Sequence, residues 1–321
     1  MARESPMKSG GSMQSKIDAY IAHRRQGGFA LTHEAMQLAN FARFADKIRH
    51  RGALTLELAS RWALANRYGR AITAARRIEV LRGFARYYQQ FEPASVIPPL
   101  HLFGPGHRRL TPHIYTDNEI GALLTAAGQL RPTGGLRAAS CQTIFGLLAA
   151  TGLRISEATG LKRSDVDLDQ GLLLIRRAKF GKTRWVPLHP TATDALRHYV
   201  KQRDRDPLSA TSDAFFVYDR GHPASSGNVR YAFETLRRQL RWCARGSHPS
   251  PRIHDLRHRF ICRRIQAWYE DGVNVDHDIL ALSTYVGHVK PTDTYWYVTG
   301  TPELMAIAAK RFEQSAAGGT V

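Results

Sequence analysis

Two arginines, two histidines, a lysine and a tyrosine stand in the second half of this chain, in an order that suits one kind of chemistry. They occupy Thr151-Gly152-Leu153-Arg154-Ile155-Ser156-Glu157, the turn Ala178-Lys179-Phe180-Gly181-Lys182, His254-Asp255-Leu256-Arg257-His258, Gly287-His288, and a segment with tyrosines at 295 and 297. A phosphodiester repels nucleophiles and gathers more negative charge on its oxygens as attack proceeds. Guanidinium groups grip two oxygens at once and stabilise that developing charge. An attacking side-chain oxygen leaves a covalent intermediate, which splits one strand exchange into two reversible steps. The departing sugar oxygen needs a proton, which a lysine held in a loop can supply. Tyrosine suits the attack because its anion, with an intrinsic pKa of about 10, is both nucleophile and leaving group. No metal, ATP or other cofactor is needed.

Each residue alone is weak evidence. Arg154 follows a glycine placed to end a helix, so its side chain can point into a cleft, and Glu157 is placed to hold the guanidinium or a nearby histidine. A lysine at a hairpin tip is most often simply solvated. His254 and Arg257 lie three apart and share a helix face. His254 and His258 also imitate the H-E-x-x-H pattern of metal hydrolases, but aspartate replaces the glutamate base and Arg257 would set positive charge beside a metal. Tyr297 lies nine residues beyond His288, and Tyr295 stays open as a rival nucleophile.

The ordered set resembles the tyrosine recombinase, or phage-type integrase, family, whose pattern is Arg, Lys, His-x-x-Arg, His, Tyr. The segment 151–161 resembles its first-arginine box, 178–188 the β-hairpin carrying its lysine, 254–260 its central box and 285–288 its "LGH" element. The resemblance spans most of residues 115–312. It implies that Tyr297 attacks DNA to give a 3′-phosphotyrosine and a free 5′ hydroxyl. Arg154 and Arg257 then hold the non-bridging oxygens, His254 and His288 hydrogen-bond the phosphate, Lys179 protonates the leaving oxygen and Glu157 supports the first arginine. It also implies a double-stranded recombination site as partner, a homotetramer on two duplexes and accessory DNA-bending or directionality proteins. The event would be integration, excision or resolution of a mobile element. A type IB topoisomerase using nearly the same residues is one alternative, and a non-catalytic DNA-binding regulator is another.

Composition fits a nucleic-acid partner. The 321 residues carry 46 Lys+Arg against 27 Asp+Glu, a net charge of +19 and a pI near 10.3, which attracts polyanions. Residues 1–110 hold 18 basic and 7 acidic residues, so the N-terminal part is the denser polycation. Hydrophobic content of 43% indicates a globular chain. Cys141, Cys243 and Cys262 lie far apart in apolar stretches read as helical, which suggests core residues rather than a zinc site or disulfide framework. No apolar run approaches a membrane span and no signal peptide opens the chain, so a cytoplasmic, nucleoid-associated protein is expected.

The expected fold class is mainly α with a small antiparallel β-sheet. A short polar tail, 1–12, precedes a helical domain at 13–92, which the family resemblance identifies with its core-binding, SAM-like domain. Its helices fall near 13–21, 33–49, 55–66 and 72–88. Arg76, Arg77, Arg82 and Arg86 on the last of these, with Arg108 and Arg109 beyond it, are candidate phosphate contacts. Prolines at 93, 98, 99, 105 and 112 mark 93–114 as a linker. The mixed α/β catalytic domain, 115–321, has helices near 117–127, 138–151, from 191, 226–243, 255–270 and 276–285. Strands are expected at 172–177, 183–188 and 215–218. A last helix, 301–314, begins at Thr301-Pro302, and the resemblance implies that it docks on a neighbouring subunit.

Overall fold

A computed structural model describes residues 11–65, 69–107, 109–176 and 183–297, together with Met305, Ala306, Ala309 and Glu313. The chain forms two compact units that divide between Arg109 and Leu110, inside the proline-rich stretch.

Four helices build the first unit: α1 (Met13–Gln26), α2 (Thr32–Lys47), α3 (Leu56–Leu64) and α4 (Ala71–Tyr88). Ser12 and Thr55 cap α1 and α3, each side chain accepting a main-chain N–H three residues on. Apolar residues recurring at helical spacing meet in one core, where Ile17, Leu38, Phe41, Trp62, Ile78, Leu81 and Phe84 are buried. The Trp62 ring stands edge-on to Phe41, with centroids 5.2 Å apart. The residues after α4 stay with this unit at first. Val96 donates to the Leu54 carbonyl at 2.7 Å, and Leu102 and Phe103 pack on the core.

In the second unit α5 (Asp117–Gly128) opens with a capping box between Thr116 and Glu119. The long α6 (Leu136–Thr151) is the central helix, with eleven of its sixteen residues buried, and it ends at Gly152 in the left-handed conformation (φ 64°). A Cβ at Gly152 would stand 2.6 Å from the Phe260 ring, so glycine answers both the backbone and the packing. The short α7 (Ile155–Thr159) follows at once. An antiparallel sheet of β1 (Val166–Asp167), β2 (Leu172–Ile175) and β3 (Arg184–Pro187) comes next, with Ile175 opposite Arg184 at its far end. Then come α8 (Pro190–Arg203), α9 (Pro207–Ala210), α10 (Ser226–Gln239), α11 (Asp255–Glu270), α12 (Val275–Val286) and α13 (Thr292–Tyr295). Phe145, Leu148, Leu173, Val186, Phe216, Phe233 and Leu256 share one core around α6. A smaller cluster joins Ile261, Ile265, Leu282, Val286 and Tyr297.

Mainly helical with a small antiparallel sheet is the fold class found. Three local expectations are corrected. The apolar run 215–218 is no strand of the sheet: Phe215 donates to Leu161, and Val217 makes only an isolated bridge with Pro223. The helix expected to run to 243 stops at Gln239, and Arg241 turns the chain with φ 53°. Cys243 therefore lies beyond the helix and is exposed, whereas Cys141 and Cys262 are buried as expected. The tail apart from Gly11 and Ser12, and the helix 301–314 apart from four residues, lie outside the described residues. No described helix is long and apolar enough to cross a membrane.

Candidate active site

Two glycine-ended helices create the site. At the C-terminus of α6, Gly152 reverses the chain and Arg154 takes the N-cap position of α7. At the C-terminus of α12, Gly287 (φ 72°) does the same and presents His288. The two turns are joined through arginine. Arg154 donates from Nη1 to Glu157 Oε1 at 2.8 Å and from Nη2 to the Gly287 carbonyl at 2.8 Å.

α11 contributes the other half. His254 is its N-cap residue, and one turn on, Arg257 points back beneath α6 and donates from Nη1 to the Gly152 carbonyl at 2.7 Å. Arg257 is almost wholly buried, yet its Nη2 meets no hydrogen-bond partner among the described residues. A buried, unpaired guanidinium nitrogen is costly, and it marks a place where an anionic oxygen would fit. Burial and then the Arg154 charge pull the Arg257 pKa down to about 10. Asp255, fully buried between them, holds Arg252 through Nη2 at 2.6 Å and fixes the start of the helix.

The histidines are held neutral. Burial, then the Arg257 and Arg154 charges, take His288 down to about 3. His254 falls to about 4, through loss of hydration followed by the charges of Arg257 and Arg252. The residue is exposed to solvent. His288 Nδ1 lies 2.7 Å from Thr294 Oγ1, a contact that fixes the ring.

Tyr297 is buried against these groups. Its ring stacks on His288 at 6.2 Å and 13°, lies 5.3 Å from the His258 ring, and its phenol bears on the charge of Arg257. Tyr295 points elsewhere: it is 40% exposed, and its hydroxyl donates to Asp276 at 3.2 Å. One chain thus gathers Arg154, Glu157, His254, Arg257, His288 and Tyr297, and leaves Tyr295 outside. Lys179 lies outside the described residues.

Two residues at this site escaped sequence reasoning. Arg184, at the start of β3, donates from Nη1 and Nη2 to the two oxygens of Glu157 at 3.1 and 2.9 Å, and from Nε to the Tyr285 carbonyl at 2.8 Å. Burial works to raise the Glu157 carboxyl, but the Arg184 hydrogen bonds, the Arg154 main-chain N–H and both guanidinium charges outweigh it and hold the pKa low. His258 packs between His254 and Tyr297, and its buried Nδ1 lacks a partner among the described residues. The central box displayed His258 openly, whereas the sequence offered Arg184 only as one of the basic neighbours of the hairpin lysine, with no sign of its link to Glu157.

The expected phosphate contacts of the first unit are partly engaged within it. Arg76 donates to the Gly106 carbonyl, Arg77 to that of Trp62 and Arg82 to that of Pro98, while Arg86 is exposed. Arg109 is also exposed, and Arg108 lies outside the described residues. A cavity of about 620 Å³, lined by Gly134, His198, Lys201 and Arg220 at the far end of α6, adds nothing to the cluster.

The sequence pattern of the Phage integrase family matches residues 114–303. The Sinorhizobium fredii protein y4rB, whose name assigns it to integrases/recombinases, is 37% identical over 94% of this chain and 98% of its own. Tyrosine recombinase XerA of Thermococcus kodakarensis is 30% identical over 73% of each chain. Among solved structures, the XerH site-specific recombinase in a post-cleavage complex with difH superimposes with a TM-score of 0.65 at 18% identity, covering 94% of this chain and 85% of that one. The Tn1549 transposon integrase bound to transposon right-end DNA gives the same TM-score and identity, over 94% of this chain and 99% of its own.

Proposed function

The chain belongs to the phage integrase family and is a tyrosine-type site-specific recombinase, and from that premise we propose that it cuts and rejoins DNA through Tyr297. The phenol gives up its proton to solvent, its oxygen attacks the scissile phosphorus, a 3′-phosphotyrosine forms and the 5′ oxygen leaves as a hydroxyl. Arg154 and Arg257 grip the non-bridging oxygens, and the trigonal-bipyramidal transition state, richer in negative charge than the diester, gains most from them. His254 and His288, neutral at physiological pH, donate hydrogen bonds to the same phosphate without adding to the charge excess. Lys179 gives the proton to the leaving oxygen. Attack by another strand's 5′ hydroxyl reverses each step, so the phosphodiester's energy is kept in the protein linkage and neither metal nor ATP is consumed.

The observation that carries this reading is the buried Nη2 of Arg257, which has no partner among the described residues, in a cluster where Tyr297 is already packed on His288. The partner is a double-stranded recombination site, on which a homotetramer joins two duplexes in the integration, excision or resolution of a mobile element. DNA-bending or directionality proteins set the outcome, and the exposed arginines Arg86 and Arg109 bear on flanking phosphates. The decisive experiment offers the protein a nicked duplex of its own site, from which the cut fragment diffuses away. Wild type and Tyr295→Phe should accumulate a covalent DNA adduct, while Tyr297→Phe should bind equally and form none. An adduct formed by Tyr297→Phe refutes the assignment.

A further inference from the structure

The β2–β3 strand pair reaches the site through Arg184. Arg184 pairs with Ile175 at the last described rung of the ladder. Its side chain, only 10% exposed, turns in to the Glu157 carboxylate, which is 5% exposed. Beyond the two Glu157 oxygens, Nε reaches the Tyr285 carbonyl at 2.8 Å and Nη2 reaches that of Val286 at 3.3 Å. One planar fork therefore ties three separate segments: the hairpin, the box containing Arg154 and the turn containing His288. Trp185, the next residue along the strand, faces solvent instead.

We propose that Arg184 is a positioning residue for cleavage: by bridging Glu157 to the last carbonyls of α12, it makes the seating of the hairpin set the aim of Arg154 and His288. This rests on the recombinase chemistry proposed above. Glu157 is shared, one oxygen reached by Arg154 Nη1 and both by Arg184, so the orientation of the carboxylate fixes the plane of the Arg154 guanidinium. Arg154 in turn spends Nη2 on the Gly287 carbonyl, one residue before His288. Without Arg184, Glu157 would have only Arg154 to neutralise it, and the carbonyls at 285 and 286 would lose a cationic donor. Gly287 fits the same account. A Cβ there would lie 2.8–2.9 Å from the Arg184 guanidinium, so the glycine makes room for the arginine as well as for the turn. Lysine cannot replace the fork, since a single ammonium cannot satisfy a carboxylate and two carbonyls in one plane.

The test uses the full chain on the nicked duplex, with Arg184→Gln, Arg184→Lys, Glu157→Gln and the double variant Glu157→Gln/Arg184→Gln. DNA affinity, single-turnover cleavage at saturating DNA and thermal unfolding are measured for each. Outer residues that orient reacting groups are worth roughly 10- to 100-fold. Arg184→Gln should therefore cut about that much more slowly while binding DNA within about threefold of wild type. Arg184→Lys, which keeps the charge and protects the fold, should restore the unfolding temperature but not the rate. The double variant should be no slower than the worse single one, because both break the same link. Wild-type cleavage rates in the folded Arg184 variants, full rescue by lysine, or effects that multiply in the double variant would each overturn the proposal. If wild type forms no adduct with Tyr297, the recombinase chemistry itself fails; if it does and the Arg184 variants match it, only the positioning role fails.

Discussion

Replacing Arg257 with methionine should slow cleavage severely without unfolding the protein. The guanidinium is buried and stays charged at any ordinary pH, so its lowered pKa measures stored free energy rather than a titration. The fall from 12.5 to about 10, at about 1.4 kcal/mol per unit, places roughly 3 kcal/mol in holding that charge where it is. Against this stands the Nη1 hydrogen bond to Gly152, worth about 1.5–3 kcal/mol for a charged donor. Nη2, which has no partner among the described residues, contributes nothing to offset the loss of water. Methionine fills much of the same volume, removes the charge and leaves one carbonyl unsatisfied.

The balance is between about 0 and 2 kcal/mol in favour of the variant, the usual direction when buried charges give way to apolar groups. For a unit of this size that is a rise in unfolding temperature of no more than a few degrees. Removal of a phosphate clamp should meanwhile cost on the order of 100- to 1000-fold in cleavage rate. Thermal unfolding followed by circular dichroism, with and without the nicked duplex, separates the two effects. Bound DNA should raise the unfolding temperature of wild type more than that of Arg257→Met, because wild type has one more buried charge for the phosphate to neutralise. A loss of more than about 5 °C in the free variant would show that Arg257 is an ordinary structural arginine and refute the reasoning.

The same geometry yields two more expected outcomes. The pKa values of His254, His288 and His258 lie at about 4, 3 and 2, all below the 6.5 of the unfolded chain, so unfolding takes up protons as the pH drops. Stability is then complete above about pH 6.5 and is lost as the pH falls toward 4. An unfolding temperature flat from pH 7.5 to 5 would contradict this, and bound DNA should lessen the acid sensitivity by supplying the histidines with a phosphate. Gly152→Ala must hold a left-handed backbone at about 1 kcal/mol and push Phe260 aside at about 1–3 kcal/mol more, lowering the unfolding temperature by several degrees. Because Arg257 hangs on the Gly152 carbonyl, cleavage at temperatures where this variant is folded should also slow; a variant unchanged in both respects would show that the turn tolerates a side chain.

Much of the site was legible because its chemistry is carried by short contiguous boxes. Glu157 lies three residues from Arg154, Arg257 three from His254, and the helix-ending glycines at 152 and 287 announce the turns that present Arg154 and His288. The nine-residue step from His288 pointed to Tyr297 through the resemblance but left Tyr295 open as a rival, and packing separates the exposed ring from the buried one. Arg184 was hidden for a different reason: its partners lie 27 and 101 residues away, so no local pattern records them. Local propensity misled at 215–218, where an apolar run suited a strand but found no neighbouring strand to pair with. It misled again at Cys243, where helix-forming residues continue past Gln239 but Arg241 turns the chain out.

Among the described residues, the guanidinium groups of Arg154, Arg184 and Arg257 share this site with the carboxylate of Glu157, while Arg252 and Asp255 neutralise each other at its edge. What holds the arginines in place is mostly main-chain carbonyl. Gly152 at the end of α6 takes Arg257, and positions 285, 286 and 287 at the end of α12 take Arg184 and Arg154. Helix C-termini carry partial negative charge and carbonyls that lack intrahelical partners, so they orient cations without cancelling them. A second carboxylate at either position would have given a more stable cluster and filled the place an anion must take. Carbonyl anchoring leaves positive charge in excess, and under the proposed function a phosphodiester entering beside Tyr297 would supply the missing counter-charge. The same arrangement explains why the histidines must be neutral, since one more fixed positive charge would have no counterpart until DNA arrived.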